Sequence, residues 1–396
     1  MFSRRLKFGY FVIEGLNSFA TVYYFYYLYF FMQQVYGFGN KANLVLAALN
    51  GATYALTAWF AGKFAQRHGY FTALKTGYAI MVVALSFGLL SGSAAGRIWA
   101  MTLNVVGMSF TWPTLEALVS EGEPRSGLQH MVGVYNVVWA ATAALANFSG
   151  GAMLQKLGLT SLFCIPISIH LTQLCLTLWL ESKAAQSKPA TAVLNKPAEE
   201  MAAPLPEGFG IPKAQRFLRM AWLANPFGYI AINTLIAVVP GVARRLELST
   251  MAAGFCCSVW CFARLGAFAV LWRWAGWHYR FRWLFVAYLA LVGSFACTVL
   301  APGVAMLVVA QLVFGAAVGL LYYSSLFYSM DRSETKGEHG GIHEAAIGLG
   351  NCAGPAVGAA TLQLLPQHAQ SGTVAVIVLL LCGLGGLVGI WRAKAL

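Results

Sequence analysis

Glu14 and Arg264 stand out in this chain because each lies deep inside a long apolar run. Ionisable groups at such depth are costly and usually face a cavity or a partner. Glu14 is about seven residues into the first run, which at ~1.5 Å per residue puts it roughly 10 Å deep. Arg264 is about nine residues from the near end of the eighth run, roughly 13 Å deep by the same rise. At similar depths the two are expected to face each other. A carboxylate poised between loss of water and a nearby guanidinium can take up and release a proton. Glu14 is therefore a candidate proton-coupling group, with Arg264 as its partner or as the anchor for an anionic group. A fixed ion pair is the alternative. Glu116 is the third candidate, in Trp112-Pro113-Thr114-Leu115-Glu116. The proline there removes a donor and crowds the preceding turn, and a broken helix beside a carboxylate suits a gate or a binding site. Glu344 is expected in the first turn of a helix, where the dipole alone accounts for it.

Amides, hydroxyls and aromatic faces accompany these groups. Asn17 shares the first run with Glu14, Asn225 and Asn233 lie in the seventh, Tyr135, Asn136 and Trp139 in the fifth, and Tyr322, Tyr323, Ser324, Ser325 and Tyr328 in the tenth. Such a mixture suits a polar organic solute. Asn17, Tyr23, Trp112, Asn136, Trp139, Asn225, Asn233 and Tyr323 form the candidate substrate-binding set. For the amides and hydroxyls, bonding between helices is the alternative, worth ~0.6 kcal/mol per bond in a membrane. Tyr23 opens an aromatic run ending at Phe31, part of which is expected in an interfacial belt. The eight cysteines show neither metal-ligand spacing nor a disulfide framework. His339 and His343 are too few to hold a metal. No phosphate-binding Gly-x-x-x-x-Gly-Lys-Ser/Thr loop is present, so neither ATP nor any other cofactor is expected.

The elements that must position these groups are membrane helices. Of 396 residues, 59% are hydrophobic and 10% charged, against roughly 25% charged in a soluble domain. That leaves too little polar surface to cover a globule in water. A spanning helix needs about 20 apolar residues, and twelve runs qualify, at 8–35, 43–66, 71–93, 98–120, 128–153, 160–181, 215–242, 250–273, 281–301, 303–329, 340–364 and 371–391. They do not alternate as the strands of a β-barrel would. The fold class is thus an all-α membrane protein with twelve transmembrane helices. The first run is too long for a signal-peptide core and is expected to be retained. The net charge of +13 points the same way. With the N terminus inside, the outer connections hold Lys41, Arg97, Lys156, Arg244 and Arg245, Arg264 lies within a span, and every other Lys and Arg falls inside. This positive-inside bias sets topology, with both termini cytoplasmic. It favours contact with anionic lipid and gives no reason to expect nucleic acid.

Three stretches recur about 208 residues later, the mark of a duplicated bundle. Asn17 returns as Asn225, Gly69 as Gly276, and Ala146-Asn147-Phe148-Ser149-Gly150 as Gly354-Pro355-Ala356-Val357-Gly358. A polar, proline-rich stretch at 182–214 reads as a flexible cytoplasmic linker. It separates an N-terminal six-helix bundle, 1–181, from a C-terminal one, 215–396. In this architecture the chain resembles the major facilitator superfamily. The connection after the second run carries Gly62, Arg67 and Gly69 of that family's loop motif, with Gln66 where the family has Asp. The eleventh run carries Gly350, Gly354, Pro355 and Gly358 in the pattern of the family's antiporter motif, which normally lies in the fifth helix.

The resemblance implies two pseudo-symmetric bundles, with the third, sixth, ninth and twelfth helices on the lipid side. It implies a secondary active transporter, not an enzyme, that moves a small organic solute by alternating access. The coupling ion is expected to be a proton, through Glu14, or sodium. Gly62, Arg67, Gly69, Gly350, Gly354, Pro355 and Gly358 are the expected gating and conformational residues. Gly350, Gly354 and Gly358 share one helix face, where small residues would let helices of opposite halves slide. A monomer in the cell inner (plasma) membrane is expected, with solute, coupling ion and lipid as its partners. A non-transporting membrane receptor or assembly factor on the same scaffold is the alternative. It predicts that Glu14 and Arg264 tolerate replacement.

Overall fold

The computed structural model describes residues 4–121, 125–186, 211–332 and 336–393. They form fourteen α-helices: α1 (Arg4–Tyr36), α2 (Asn40–His68), α3 (Tyr70–Leu90), α4 (Ala94–Ser109), α5 (Trp112–Ser120), α6 (Arg125–Leu157), α7 (Ser161–Gln186), α8 (Ile211–Arg245), α9 (Thr250–Cys257), α10 (Val259–Arg273), α11 (Phe281–Leu300), α12 (Val304–Arg332), α13 (Lys336–Leu364) and α14 (Ser371–Arg392). A single 3-10 turn, Ala275–Trp277, joins α10 to α11. Ten stretches are long and apolar enough to cross a membrane, α9 and α10 together making one. The other two passes are α1, diluted by polar residues, and α4 with α5. Twelve passes bring the start of α1 and the finish of α14 to one end of the molecule, called here the terminal end; the opposite end is the far end.

Two passes are broken. The ring of Pro113 would collide with the carbonyl of Ser109, one turn back. The amides of Phe110 and Thr111 turn instead to the carbonyls of Gly107 and Met108. The chain restarts as α5 with Pro113 in its first turn, where a missing N–H is harmless. This is the break expected from the sequence. The second falls at Ser258, between α9 and α10, where the Ser258 hydroxyl donates to the Phe255 carbonyl at 3.0 Å. Its side chain satisfies the local backbone without a proline, so nothing in the sequence announces it.

The helices pack as two bundles with a repeated pattern. In the first, α1 lies against α6 and α7, and α3 against α4 and α7. In the second, α8 lies against α13 and α14, and α11 against α12 and α14. Two seams join the bundles, α2 with α13 and α6 with α9 and α10. At the far end the bundles are also tied by exposed polar side chains. Gln34 Nε2 donates to Thr250 Oγ1 at 2.9 Å, Lys41 Nζ to Gln363 Oε1 at 2.8 Å, and the Met251 amide to Gln155 Oε1 at 3.0 Å.

Several expectations are corrected at this level. The aromatic run of α1 is core, not an interfacial belt: Tyr23, Tyr24, Tyr26, Tyr27, Tyr29, Phe30 and Phe31 are all buried. On α7, the sixth pass and expected on the lipid side, His170 is buried and faces inward. Its Nδ1 lies 2.8 Å from Gln173 Oε1, and Gln173 Nε2 donates to the Ile13 carbonyl of α1 at 3.0 Å. The Gly69 and Gly276 connections are alike in place but not in conformation. Gly69 adopts φ +88 between α2 and α3, while the left-handed residue after α10 is Tyr279, at φ 52. The Tyr279 amide is held by the Tyr328 hydroxyl at 2.9 Å, which offsets part of the strain of a side chain in that region.

Candidate functional site

Glu14 is fully buried on α1. Its Oε1 accepts a 2.9 Å hydrogen bond from Ser18 Oγ, one turn on, while its Oε2 has no partner. The two residues share a helix face because they are four apart. Asn17 and Thr21 continue this polar stripe. Asn17 is wholly buried with both amide atoms unpaired, and the Thr21 hydroxyl is buried and unpaired as well. Tyr135 of α6 turns towards the Glu14 carboxylate. Unpaired buried polar atoms are rare in folded proteins, and their concentration on one stripe of α1 marks it as more than packing.

The expected partner of Glu14 is not there. No ion pair joins Glu14 to Arg264 among the described residues; the ion pair described is Lys75 with Glu181, at 2.7 Å between α3 and α7. The charged groups acting on Glu14 are instead two further acids, Glu116 and Glu344. Glu116 is half-buried on α5, one turn past Pro113. Glu344 does not cap a helix, because α13 starts at Lys336, eight residues and about 12 Å earlier. It is buried, and its Oε2 accepts a 2.7 Å hydrogen bond from the Tyr54 hydroxyl of α2. That bond crosses between the bundles. Glu344 was the acid missed by sequence reasoning; the signal was that the helical pattern could extend back past Gly340 to Lys336. The side chains of His339 and His343 lie outside the described residues. Among the rest, no cluster of three or more His, Cys, Asp or Glu could hold a metal.

Arg264 belongs to the other seam. It lies on α10, is 6% exposed, and its Cζ stands 4.5 Å from the Trp139 ring and 4.7 Å from the Trp260 ring. Trp139 comes from α6 of the first bundle and packs edge-on against Phe268 and Tyr322 of the second, with centroids 5.7 and 5.5 Å away. Trp112 meets it at 6.3 Å. Trp139 Nε1 donates to Asn136 Oδ1 at 2.9 Å, leaving the buried Asn136 Nδ2 unpaired. Beside them Asn147 Nδ2 lies 3.4 Å from Cys261 Sγ, and the Tyr26 hydroxyl 3.9 Å from the same sulfur. Cys261 is thus part of a polar bridge between α6, α10 and α1.

Not every expected lining residue reaches this region. Tyr23 is held inside the first bundle, its hydroxyl 2.8 Å from Ser161 Oγ of α7. Tyr323 points into the second bundle against Phe268 and Trp277, while its neighbour Tyr322 meets Trp139 and Tyr229. Asn233 donates to Asn351 of α13 and to the Tyr229 carbonyl, a tie between helices of one bundle. Asn225 is buried on α8 beside Pro226, the residue whose carbonyl Gly350 meets. Asn17, Asn136, Trp139 and Trp112 do lie among the groups described above.

The glycines divide in the same way. Gly350 and Gly354 face α8 of their own bundle: a Cβ there would strike the Pro226 carbonyl or lie 2.6 Å from Thr234 Oγ1. Gly358 faces Leu44 and α14 more loosely, and Pro355 is buried in mid-helix between them. The close approaches across the bundles are made by others. A Cβ on Gly51 would strike the Cys352 backbone, one on Gly348 would lie 2.6 Å from the Ala55 backbone, and one on Gly151 would strike the Thr250 carbonyl. The spacing of four does give a small face; Gly350 and Gly354 on it meet their own bundle, and Gly358 meets Leu44 of the other. Gly62 is half-buried on α2, while Arg67 and Gly69 are exposed at its end.

Two helical bundles enclosing a buried polar centre across their seams define a membrane transporter fold. The chain belongs to the Major Facilitator Superfamily, whose family model matches residues 10–355. It is a transporter of that family, not an enzyme. A search of curated sequences found no match. Similar solved structures include the nucleoside transporter NupG, with a TM-score of 0.71, 11% identity and coverage of 98% of this chain and 100% of that one. The human organic anion transporter MFSD10 aligns with a TM-score of 0.68 and 15% identity over 97% of this chain and 99% of its own. A bacterial homologue of the human lysosomal transporter Spinster, inward-facing and unoccupied, aligns with a TM-score of 0.70 and 13% identity over 98% and 96%. At these identities the likeness is one of fold.

Proposed function

We propose that the protein is a secondary active transporter that moves a small organic solute by alternating access and draws on a proton gradient through Glu14. Residues 1–181 and 215–396 are then the two rocking bundles, 182–214 their linker, and the terminal end faces the cytoplasm at the cell inner membrane. The observation that carries this reading is the state of Glu14, fully buried with one oxygen unpaired and, among the described residues, no ion pair to a cation. A buried ionised carboxylate without a counter-charge is costly, and three acids within reach of one another cannot all be charged cheaply. Such a group exchanges its proton when the bundles move and water reaches it. Glu344 and Tyr54 lie on opposite bundles, so the protonation of this centre is linked to whether the α2–α13 seam is closed.

The experiment is uptake into proteoliposomes under an imposed pH gradient. Wild-type protein accumulates solute against its concentration gradient, while Glu14→Gln still exchanges solute across the bilayer but no longer accumulates it. Accumulation by Glu14→Gln at the wild-type level removes the coupling role. Insensitivity of every transport measurement to both Glu14 and Arg264 favours the receptor or assembly-factor reading.

A further inference from the structure

We infer that Arg264 is the anchor for an acid group on the transported solute, and that this solute is a small organic carboxylate with a flat, apolar body. The inference rests on the transporter reading above and names the substrate class of the same site. Arg264 is 6% exposed, yet its Nε has no hydrogen-bond partner and no ion pair engages it among the described residues. A guanidinium offers five donors in a planar fork, and burying such a charge without a counter-charge is strongly unfavourable. The protein lays Trp139 and Trp260 against it, 4.5 and 4.7 Å from Cζ. Cation–π attraction offsets only part of that cost. The buried acids are engaged elsewhere, Glu14 with Ser18 and Glu344 with Tyr54. Among the described residues, no carboxylate forms an ion pair with Arg264.

A carboxylate is the planar, two-oxygen partner that the fork fits best. The surroundings describe the rest of the ligand. Beyond the two indoles stand Phe268 and Tyr322, both packed on Trp139. These ring faces suit a flat apolar body better than a ring of sugar hydroxyls. Because Trp139 belongs to one bundle and Arg264 to the other, a ligand seated there touches both.

The test uses purified full-length protein in detergent, with intrinsic tryptophan fluorescence and thermal unfolding as readouts. The probes are benzoate, its neutral isostere benzamide, and chloride and inorganic phosphate as bare anions. Benzoate is expected to raise the unfolding temperature and change the fluorescence at millimolar concentration, with benzamide and the bare anions ineffective. In Arg264→Gln the apparent affinity for benzoate falls roughly 10- to 100-fold, the loss expected for hydrogen bonds to a charged group. Arg264→Lys keeps the charge without the fork and lies between. Unliganded Arg264→Gln melts no lower than the wild type, since it no longer buries an uncompensated charge; this separates lost binding from lost folding. No response to benzoate, an equal response to benzamide, phosphate or chloride, or an unchanged benzoate titration in Arg264→Gln each overturns the inference. All of these leave the transporter reading standing. That reading fails separately, if reconstituted protein moves no solute under any imposed gradient.

Discussion

The two seams between the bundles occupy equivalent places in the repeat and carry opposite chemistry. The α2–α13 seam closes on backbone through Gly51 and Gly348 and holds Tyr54 against Glu344. The seam of α6 with α9 and α10 closes on backbone through Gly151 and holds Arg264 among indole rings. The repeated packing pattern supplies the shared frame, in which helices pass at van der Waals distance where small residues allow it. Divergence supplied an acidic flank on one side of the centre and a cationic, aromatic flank on the other. The lesson is that symmetry of packing does not carry symmetry of charge, which is what the proposed division of labour between a proton and a solute requires.

Mutations that set one flank against the other test this contrast. The largest expected effect is a split in function: Glu14→Gln abolishes gradient-driven accumulation while keeping solute binding, and Arg264→Gln weakens solute binding while what it still accumulates at high solute continues to depend on the gradient. Paired titration and uptake measurements would read both, and identical phenotypes would erase the distinction between the flanks. Gly51→Leu and Gly151→Leu come next. Each forces a side chain into opposing backbone, and overpacking of this kind costs about 1–3 kcal/mol or more, read as a lower unfolding temperature. Gly266→Ala is the control, since nothing lies within 4 Å of its added carbon, and it should stay within about 0.5 kcal/mol of wild type. Tyr54→Phe removes a bond to a carboxylate and should weaken the acidic seam by roughly 1.5–3 kcal/mol. The smallest effect belongs to the exposed Arg67: Arg67→Ala should alter stability by no more than about 0.5 kcal/mol, and a strong loss of transport without a loss of stability would restore it as a gating residue.

Much of the architecture was legible because a membrane simplifies the code. Apolar length fixed the helices and proline fixed the break before α5. The break at Ser258 was not legible, because a serine bonded to its own backbone looks like any other polar residue. The centre was half legible. Burial of Glu14 and Arg264 followed from depth, but their pairing did not, because depth says nothing of rotation about a helix axis. The same limit separated Tyr322 from Tyr323, adjacent residues that face different bundles. Glu344 was misplaced for a simpler reason: α13 begins about one turn before its apolar run and two turns before Glu344 itself. Tyr23 was misread because an aromatic run is equally compatible with headgroups and with a tightly packed core.

The ties at the far end have a consequence for how that end comes apart. Gln34 with Thr250, Lys41 with Gln363 and Gln155 with Met251 are solvent-facing bonds that water can replace one at a time. At about 0.5–1.5 kcal/mol each, they amount to a zipper rather than a weld. Unfastening all three lies within the differential affinity that a ligand can bring to bear on a two-state equilibrium, so under the proposed mechanism a bound solute would suffice to open that end.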